Sequence, residues 1–288
     1  MMAWRLAVTA TALLLSTLNT AAIAAAPIEA PLLWRMPTEP GVKWRGMLPT
    51  EGGAVGMGTQ IGPYQVPGAA GLLAAVLTHA AIANSMQSSE QQQAQQAADR
   101  VLDPYATVLG AWSSANLWDA AAAVAPPSLG LRVWHGQNKP LAGSIVQTEP
   151  TFTLALDESV VILDVAIKLV ASNSASVETL VRVVSSPLGE VNPRAHWSAD
   201  EAHHLKSTAA AMLAHAIDIA HRHATHSGNA QAPMRTHRYL LGADERTERA
   251  QQLAGNCARL ELRNLRGVIM SVPIKLETEE QCLIKVSF

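Results

Sequence analysis

The clearest pattern in the chain is the alternation of apolar and polar positions between residues 151 and 186. Apolar residues recur at every second position in three runs. Asp157 with Glu158, and then residues 172–174, provide the turns between the runs. Strands joined by such short turns must be antiparallel neighbours, because a parallel return needs a crossover of about a dozen residues or more. The pattern therefore predicts an antiparallel β-meander over 151–186.

A helical period follows the meander. Ser198 and Glu201 have the spacing of a capping box, and apolar residues then recur at helical spacing over 202–220. The sequence therefore predicts that a helix begins at Ser198 and covers one face of the sheet. After it, the chain is expected to form a short helix at 242–253 and strands at 258–262, 268–272 and 282–288.

Helical patterns also precede the meander. Residues 68–86 are rich in Ala and Leu, within a span from Gly52 to Ser89 that contains no Asp, Glu, Lys or Arg. A buried hairpin helix is expected there. A membrane span is the weaker alternative, because Ala contributes little insertion energy and His79 lies near the centre. The next predicted elements are a helix through the Gln-rich run 90–96, a helix opened by Asp103 and Pro104, a helix at 116–125 and a strand at 129–133.

Together these elements predict an α+β fold with N-terminal helices, an antiparallel meander covered by a helix, and C-terminal strands that complete the sheet. We expect three regions along the chain. They are a signal peptide at 1–24, a Pro/Gly/Trp-rich N-terminal arm at 25–66, and a single α+β domain at 67–288.

The first residues have the layout of a secretory signal peptide. A short basic start precedes the apolar run 6–18, and Ala22, Ile23 and Ala24 form an A-x-A cleavage signature. The apolar run is too short to anchor the chain in a bilayer, and no cysteine near the cut offers a site for lipid attachment. We therefore expect cleavage after Ala24 and a mature protein in the periplasm or outside the cell.

The predicted arm contains two similar segments that begin at Trp34 and Trp44. Its expected role is to lie on the domain through these Trp side chains. The alternative is that Trp34 and Trp44 form a docking motif for a partner.

The only two cysteines are Cys257 and Cys282. In an exported protein an isolated pair most often forms a disulfide, so we expect Cys257 and Cys282 to be bonded to each other.

The composition limits the kinds of partner and chemistry. Charged residues make up 15% of the chain and the net charge is −2, so there is no basic stripe to neutralise phosphates and no nucleic-acid partner is expected. No motif indicates catalytic residues or a cofactor. His221, His223 and His226 are a candidate zinc or copper site at a helix end, although their spacing is not the i and i+4 of a helical zinc site. The alternative is that they are solvated helix-end imidazoles.

These observations predict an exported, non-enzymatic protein. It would act through contact with another envelope protein or with itself, in envelope assembly or maintenance. One alternative is a metal-binding protein or metal-dependent periplasmic enzyme that uses the His-rich helix end. The other is a membrane-inserted oligomer formed through 68–86.

Overall fold

The computed structural model of the chain describes residues 32–35, 41–48, 89–134, 144–171, 176–189, 192–225 and 232–275. Within these residues, α-helices accompany a large mixed β-sheet of ten strands, which confirms the predicted α+β class. The predicted signal peptide, the helix at 68–86 and the strand at 282–288 lie outside the described residues.

The helices occupy two parts of the chain, one before the meander and one directly after it. They are α1 (Ser89–Asp99), α2 (Ala106–Ala111), α3 (Ser114–Val124) and α4 (Pro193–Thr225), with 3₁₀-helices at Arg100–Tyr105 and Pro127–Leu129. Asp103 and Pro104, predicted to open a helix, instead lie inside the first 3₁₀-helix. In the part of the chain that the structure describes, no helix combines the length and apolar character needed to cross a membrane.

All ten strands belong to one sheet. They are β1 (Leu32–Arg35), β2 (Lys43–Gly46), β3 (Arg132–Trp134), β4 (Ser144–Leu154), β5 (Val161–Val170), β6 (Ser176–Val184), β7 (Arg235–Leu241), β8 (Asp244–Gly255), β9 (Arg259–Asn264) and β10 (Ile269–Pro273). Their order across the sheet is β3–β1–β4–β5–β6–β10–β9–β8–β7, and β2 also pairs with β4. The central strands β4, β5 and β6 form an antiparallel meander, and β10 joins β6 in parallel.

Two strands of the predicted N-terminal arm are part of the sheet. β1 runs parallel to the first part of β4, with Trp34 opposite Val146. β2 runs parallel to the last part of β4, with Trp44 opposite Phe152. The two short strands therefore lie one after the other along the same edge of β4.

α4 is interrupted by a kink, and this corrects the predicted capping box. Asp200, Glu201 and Ala202 have φ values of 50°, 56° and 58°, in the left-handed region. Ser198 lies before the kink, and its hydroxyl donates to the carbonyl of Arg194 at 2.7 Å instead of accepting from a helix N–H. The helix therefore begins at Pro193, five residues earlier than predicted, and its regular second part follows Ala202.

The main core lies between α4, the helices before the meander and one face of the sheet. Alternate residues of the meander, such as Phe152, Leu163 and Val183, face Leu205, Leu213 and other residues of α4 within one buried cluster. The apolar face that the period of two gives the strands therefore packs against the apolar face that the helical period gives α4, in a single layer.

The opposite face of the sheet has a second, smaller core. The pair β7–β8 is a hairpin, and Tyr239 and Leu241 of this hairpin pack with Val160, Met270 and other residues of this cluster. The helix predicted at 242–253 is therefore wrong, because that segment contains the hairpin turn and most of β8. The remainder of this face is half-buried and carries direct cross-strand ion pairs, Asp164 with Arg182 and Lys168 with Glu178.

Candidate functional site

A half-open cavity of about 240 Å³ lies where the end of β2, the β4–β5 turn and the β7–β8 turn meet. We call it the hairpin pocket. Its wall is mostly apolar, and it carries two carboxylates and one guanidinium. The lining residues are Met47, Leu48, Ala155, Leu156, Asp157, Ser159, Val160, Leu241, Ala243, Asp244 and Arg246.

Arg246 supplies the only cationic group among the lining residues of the hairpin pocket. Its Nη2 donates to the Oδ2 of Asp244 at 2.8 Å, and only 16% of the side chain is exposed. Its Nε is buried and has no hydrogen-bond partner within the described residues. A buried donor without an acceptor costs about 1–3 kcal/mol, and this Nε has almost no accessible surface through which the pocket could offer it an acceptor.

The β7–β8 turn closes the base of the hairpin pocket. Gly242 has a φ of 64°, which suits the first position of a two-residue hairpin loop. A Cβ at Gly242 would lie 2.3 Å from the Oγ of Ser159. Glycine therefore satisfies both the turn geometry and the close approach of the hairpin to the β4–β5 turn.

Glu158 belongs to the β4–β5 turn, and hydrogen bonds to its buried carboxylate hold this turn in place. Its Oε2 accepts from the hydroxyl of Tyr105 at 2.5 Å, and its Oε1 accepts from the Nε and Nη2 of Arg194 at 2.9 and 2.6 Å. The indole Nε1 of Trp197 donates to the main-chain carbonyl of Glu158 at 2.6 Å. Burial, and then the hydrogen bond to Glu158, raise the pKa of Tyr105. We call these four residues the Glu158 cluster, and they join the turn to the first part of α4.

The Glu158 cluster and the hairpin pocket share one turn but face different directions. Asp157 and Ser159 line the pocket, while Glu158 between them is only 4% exposed and has a φ of 58°. The left-handed conformation of Glu158 accommodates a turn in which neighbouring side chains take opposite directions. The Glu158 cluster therefore positions the pocket wall without being accessible from it.

A second buried polar cluster joins α4 to the C-terminal strands. Ser271 Oγ accepts from the Nε of Arg259 at 3.1 Å and lies 2.9 Å from the Nε2 of His215. Burial, and then the charge of Arg259, lower the pKa of His215, so the neutral imidazole is favoured and can accept from the serine hydroxyl. A serine beside a histidine is a familiar nucleophile arrangement, but Ser271 is 0% exposed. This arrangement therefore stabilises the fold and does not present a nucleophile to a substrate.

The structure places the three predicted metal-site histidines as follows. His221 and His223 lie in the last turn of α4, and His226 lies outside the described residues. The Nε2 of His223 lies 3.7 Å from the Oε2 of Glu261, which itself accepts from Arg222. Within the described parts of the chain, no three His, Cys, Asp or Glu side chains are grouped so that they could hold a metal ion.

The structure places both predicted docking tryptophans against the main core. Trp34 is 0% exposed, its Nε1 donates to the Oγ1 of Thr148 at 3.1 Å, and its ring lies 5.5 Å from that of Trp118. Trp44 is partly buried and stacks on Phe152 at 4.8 Å. Trp34 has no surface to offer a partner, because its side chain fills the layer between β1 and the helices.

Cys257 lies in the turn between β8 and β9, and Cys282 lies outside the described residues. The disulfide between them therefore stays a prediction.

Sequence reasoning missed the hairpin pocket because it missed the hairpin. Strands β7 and β8 are rich in Arg, Glu and Thr, and they lack the apolar alternation that identifies a half-buried strand. The one available signal was Gly242 followed by Ala243, a pair that suits the tight turn of a hairpin.

Comparison with protein-family models, with curated proteins and with solved structures gives no significant match. Within the described residues, the chain is an α+β protein with one large mixed sheet, two apolar cores and a pocket at the β7–β8 hairpin.

Proposed function

We propose that this is an exported periplasmic protein of non-enzymatic type, acting through contact with another protein of the cell envelope. The signal-peptide pattern at 1–24 supports the location. The observation that carries the proposal is the position of β7, because within the described residues it pairs on one side only, with β8. An edge strand can accept a strand from a partner through main-chain hydrogen bonds.

The register of the hairpin determines which main-chain groups of β7 are directed outward. Leu241 and Asp244 flank a two-residue turn, so they form a hydrogen-bonded pair, and such pairs alternate along an antiparallel ladder. Tyr239 and His237 are therefore hydrogen-bonded to β8. Thr236 and Arg238 direct their N–H and C=O groups away from β8, toward the position that an added strand would take.

Charge makes this edge selective. Arg235 and Arg238 are exposed on β7, and Arg238 forms an exposed ion pair with Glu245 at 3.2 Å. Exposed charges on an edge strand discourage unspecific strand pairing. A partner segment that follows β7 is therefore expected to carry acidic or polar side chains opposite these arginines.

The disulfide between Cys257 and Cys282 belongs to the same proposal. A periplasmic location would allow it to form, and it would tie residue 282 to the turn that precedes β9. Labelling of free thiols under denaturing, non-reducing conditions should detect neither cysteine. Quantitative labelling of both would contradict the pairing.

The edge-strand proposal is tested by replacing Arg238 in two ways. Proline removes the outward N–H of residue 238, whereas alanine removes only the charge. With a photo-crosslinking residue at position 236, Arg238→Pro should abolish adducts with envelope proteins, whereas Arg238→Ala should reduce them only in part, because Arg235 still carries a positive charge on the edge. Thermal unfolding of both variants should show that the fold persists, because that N–H makes no bond to β8. Equal adducts from both variants would refute strand addition at β7.

A further inference from the structure

We propose that the β9–β10 turn and the arginines beside it bind the surface of a membrane that contains anionic phospholipid. This inference goes beyond the proposed function, because it concerns a different surface and a different kind of partner. Three observations carry it: a rigid turn that presents a leucine to solvent, a group of arginines without acceptors, and the arrangement of those arginines on both faces of the sheet. We call this group the arginine turn, and it consists of Arg235, Arg249, Arg263, Leu265 and Arg266.

The β9–β10 turn is held in one conformation by Asn264. The carbonyl of Asn264 accepts from the N–H of Gly267 at 3.0 Å. Its side-chain Oδ1 accepts from the N–H groups of Arg266 and Val268 at 3.0 and 3.1 Å. Gly267 has a φ of 80°, which suits the left-handed position of a three-residue hairpin loop. The turn therefore depends on its asparagine and its glycine, and it does not require an apolar residue between them.

Leu265 lies in this turn and is 68% exposed, more than any other large apolar side chain of the described residues. Transfer of such a side chain from water to an apolar environment is favourable. Single exposed leucines are common on protein surfaces, so the meaning of Leu265 depends on the residues beside it.

Strand pairing places four arginines beside Leu265. Two of them are close to it in the chain, one two positions before it and one directly after it. The other two lie on β7 and β8, where Ala250 is paired with Asn264 on one side and with an arginine of β7 on the other. In chain order the four are Arg235, next to Ala250 in the sheet, Arg249, which precedes Ala250 in β8, and then Arg263 and Arg266.

Within the described residues, none of these four guanidinium groups has a hydrogen-bond or ion-pair partner. All the other described arginines from residue 182 onward donate to a carboxylate, a hydroxyl or a carbonyl. They are Arg182, Arg194, Arg222, Arg238, Arg246 and Arg259.

Two carboxylates lie near the arginine turn in sequence but are directed elsewhere. Glu261 accepts from Arg222 of α4 at 2.7 Å. Glu248 lies on the face of β8 opposite to Arg249, because successive side chains of a strand point to opposite faces. The net charge of −2 for the whole chain therefore conceals a local excess of positive charge at this turn.

The arrangement of the arginines favours a membrane over a folded protein as the partner. Arg235 lies on the same face of the sheet as Ala250, whereas Arg249 and Arg263 lie on the other face. Mobile phospholipid headgroups can reach arginines on both faces while Leu265 enters the boundary of the acyl chains. A folded protein would need a cavity that encloses the turn from both sides.

The test uses the full chain and vesicles of two compositions in a sedimentation assay. One is phosphatidylcholine alone, which measures the binding contributed by apolar segments elsewhere in the chain. The other is an equimolar mixture of phosphatidylcholine and phosphatidylglycerol. Binding to the anionic vesicles should be at least about tenfold tighter, since each arginine near such a surface contributes to binding. High salt should remove the difference, because it screens exposed charges.

Substitutions in the arginine turn should reduce binding to the anionic vesicles. Arg249→Gln and Arg266→Gln should each weaken it about fivefold, as expected for the loss of one basic residue near an anionic surface. Leu265→Ser should weaken it by about the same factor. The matched controls are Arg132→Gln, an exposed position on the opposite edge strand of the sheet, and Leu156→Ser, an exposed position in the β4–β5 turn. Both controls should bind as wild type does.

Three results would overturn the inference. The first is equal binding to the two kinds of vesicle, and the second is unchanged binding by the variants of the arginine turn. The third is binding of soluble poly-glutamate that depends on Arg249 and Arg266 while anionic vesicles do not bind, because the partner would then be an acidic protein. Since the vesicle assay contains no protein partner, it can fail while the edge-strand proposal stands, and the reverse also holds.

Discussion

The kink in α4 leads us to expect that glycine at a left-handed position will stabilise the protein, although glycine inside a helix usually destabilises it. Asp200 and Glu201 are exposed and lie in the left-handed region, where an ordinary L-residue such as Glu costs about 1–2 kcal/mol and Asp costs less. Replacing either by glycine removes that cost, and the greater freedom of glycine in the unfolded chain offsets about 0.5–1 kcal/mol of it. Glu201→Gly should therefore raise the free energy of unfolding by about 0.5–1 kcal/mol, and Asp200→Gly should raise it by a smaller amount.

A continuous helix would give the opposite sign. Glycine in the interior of a right-handed helix costs about 1 kcal/mol relative to alanine. Ala211 is exposed on the regular part of α4, so Ala211→Gly is the matched control and should destabilise by that amount. Urea unfolding, monitored by circular dichroism, measures all three variants. If Asp200→Gly and Glu201→Gly lower stability as Ala211→Gly does, the left-handed kink is refuted.

Three further predictions concern packing and pH. Leu205→Ala should lower the free energy of unfolding by about 2–4 kcal/mol, because it leaves a cavity under α4. Ser198→Ala should lower it by less than about 0.5 kcal/mol, because the Ser198 hydroxyl does not cap the helix. Urea unfolding measures both variants. Gly46→Ala should cost about 1–3 kcal/mol, because its Cβ would lie 2.0 Å from a carbonyl oxygen of α1, whereas Gly110→Ala meets nothing within 4 Å and should be neutral or stabilising. Burial raises the pKa of Glu261, but the adjacent imidazole and guanidinium of α4 lower it more strongly, and the resulting pKa is about 2. Because this value lies below that of a Glu side chain in the unfolded chain, ionised Glu261 should contribute about 3 kcal/mol to the free energy of unfolding. That contribution should be present above about pH 5 and be lost as the pH falls toward 2. Unfolding at several pH values should show a smaller loss in Glu261→Gln, and an equal loss would contradict the assignment.

The sequence predicted best those elements whose apolar period is regular. Strand β5 alternates along its full length, since Leu163, Val165, Ile167 and Leu169 all face α4, and the meander was predicted from that alternation. The second part of α4 was predicted for the same reason, from the spacing of Leu205, Leu213 and their neighbours. In both elements one face is buried and the other is not, and that contrast is what a periodic pattern records.

The elements that were missed have no such contrast. Strands β1 and β2 have only four residues each, too few to establish a period of two. The start of α4 was misplaced because Ser198 and Glu201 have capping-box spacing, whereas tertiary contacts of Arg194 and Trp197 with Glu158 hold an earlier turn of helix in place. Those contacts join residues 36 and 39 positions apart, so no local pattern could indicate them.

The way β1 and β2 join β4 has a consequence for how the chain acquires its structure. The indole of Trp34 bonds to Thr148, a residue 114 positions further along the chain. Because a polypeptide leaves the ribosome or a translocation channel from its N-terminus, β1 and β2 emerge first, and they have no strand to pair with until β3 and β4 have followed. Closing such a long loop is slow compared with forming a local hairpin, so the N-terminal strands are expected to be the last to join the sheet. Until then we expect Trp34 and Trp44 to remain exposed on an unfolded segment, and exposed apolar surface of this kind makes incompletely folded chains prone to aggregate.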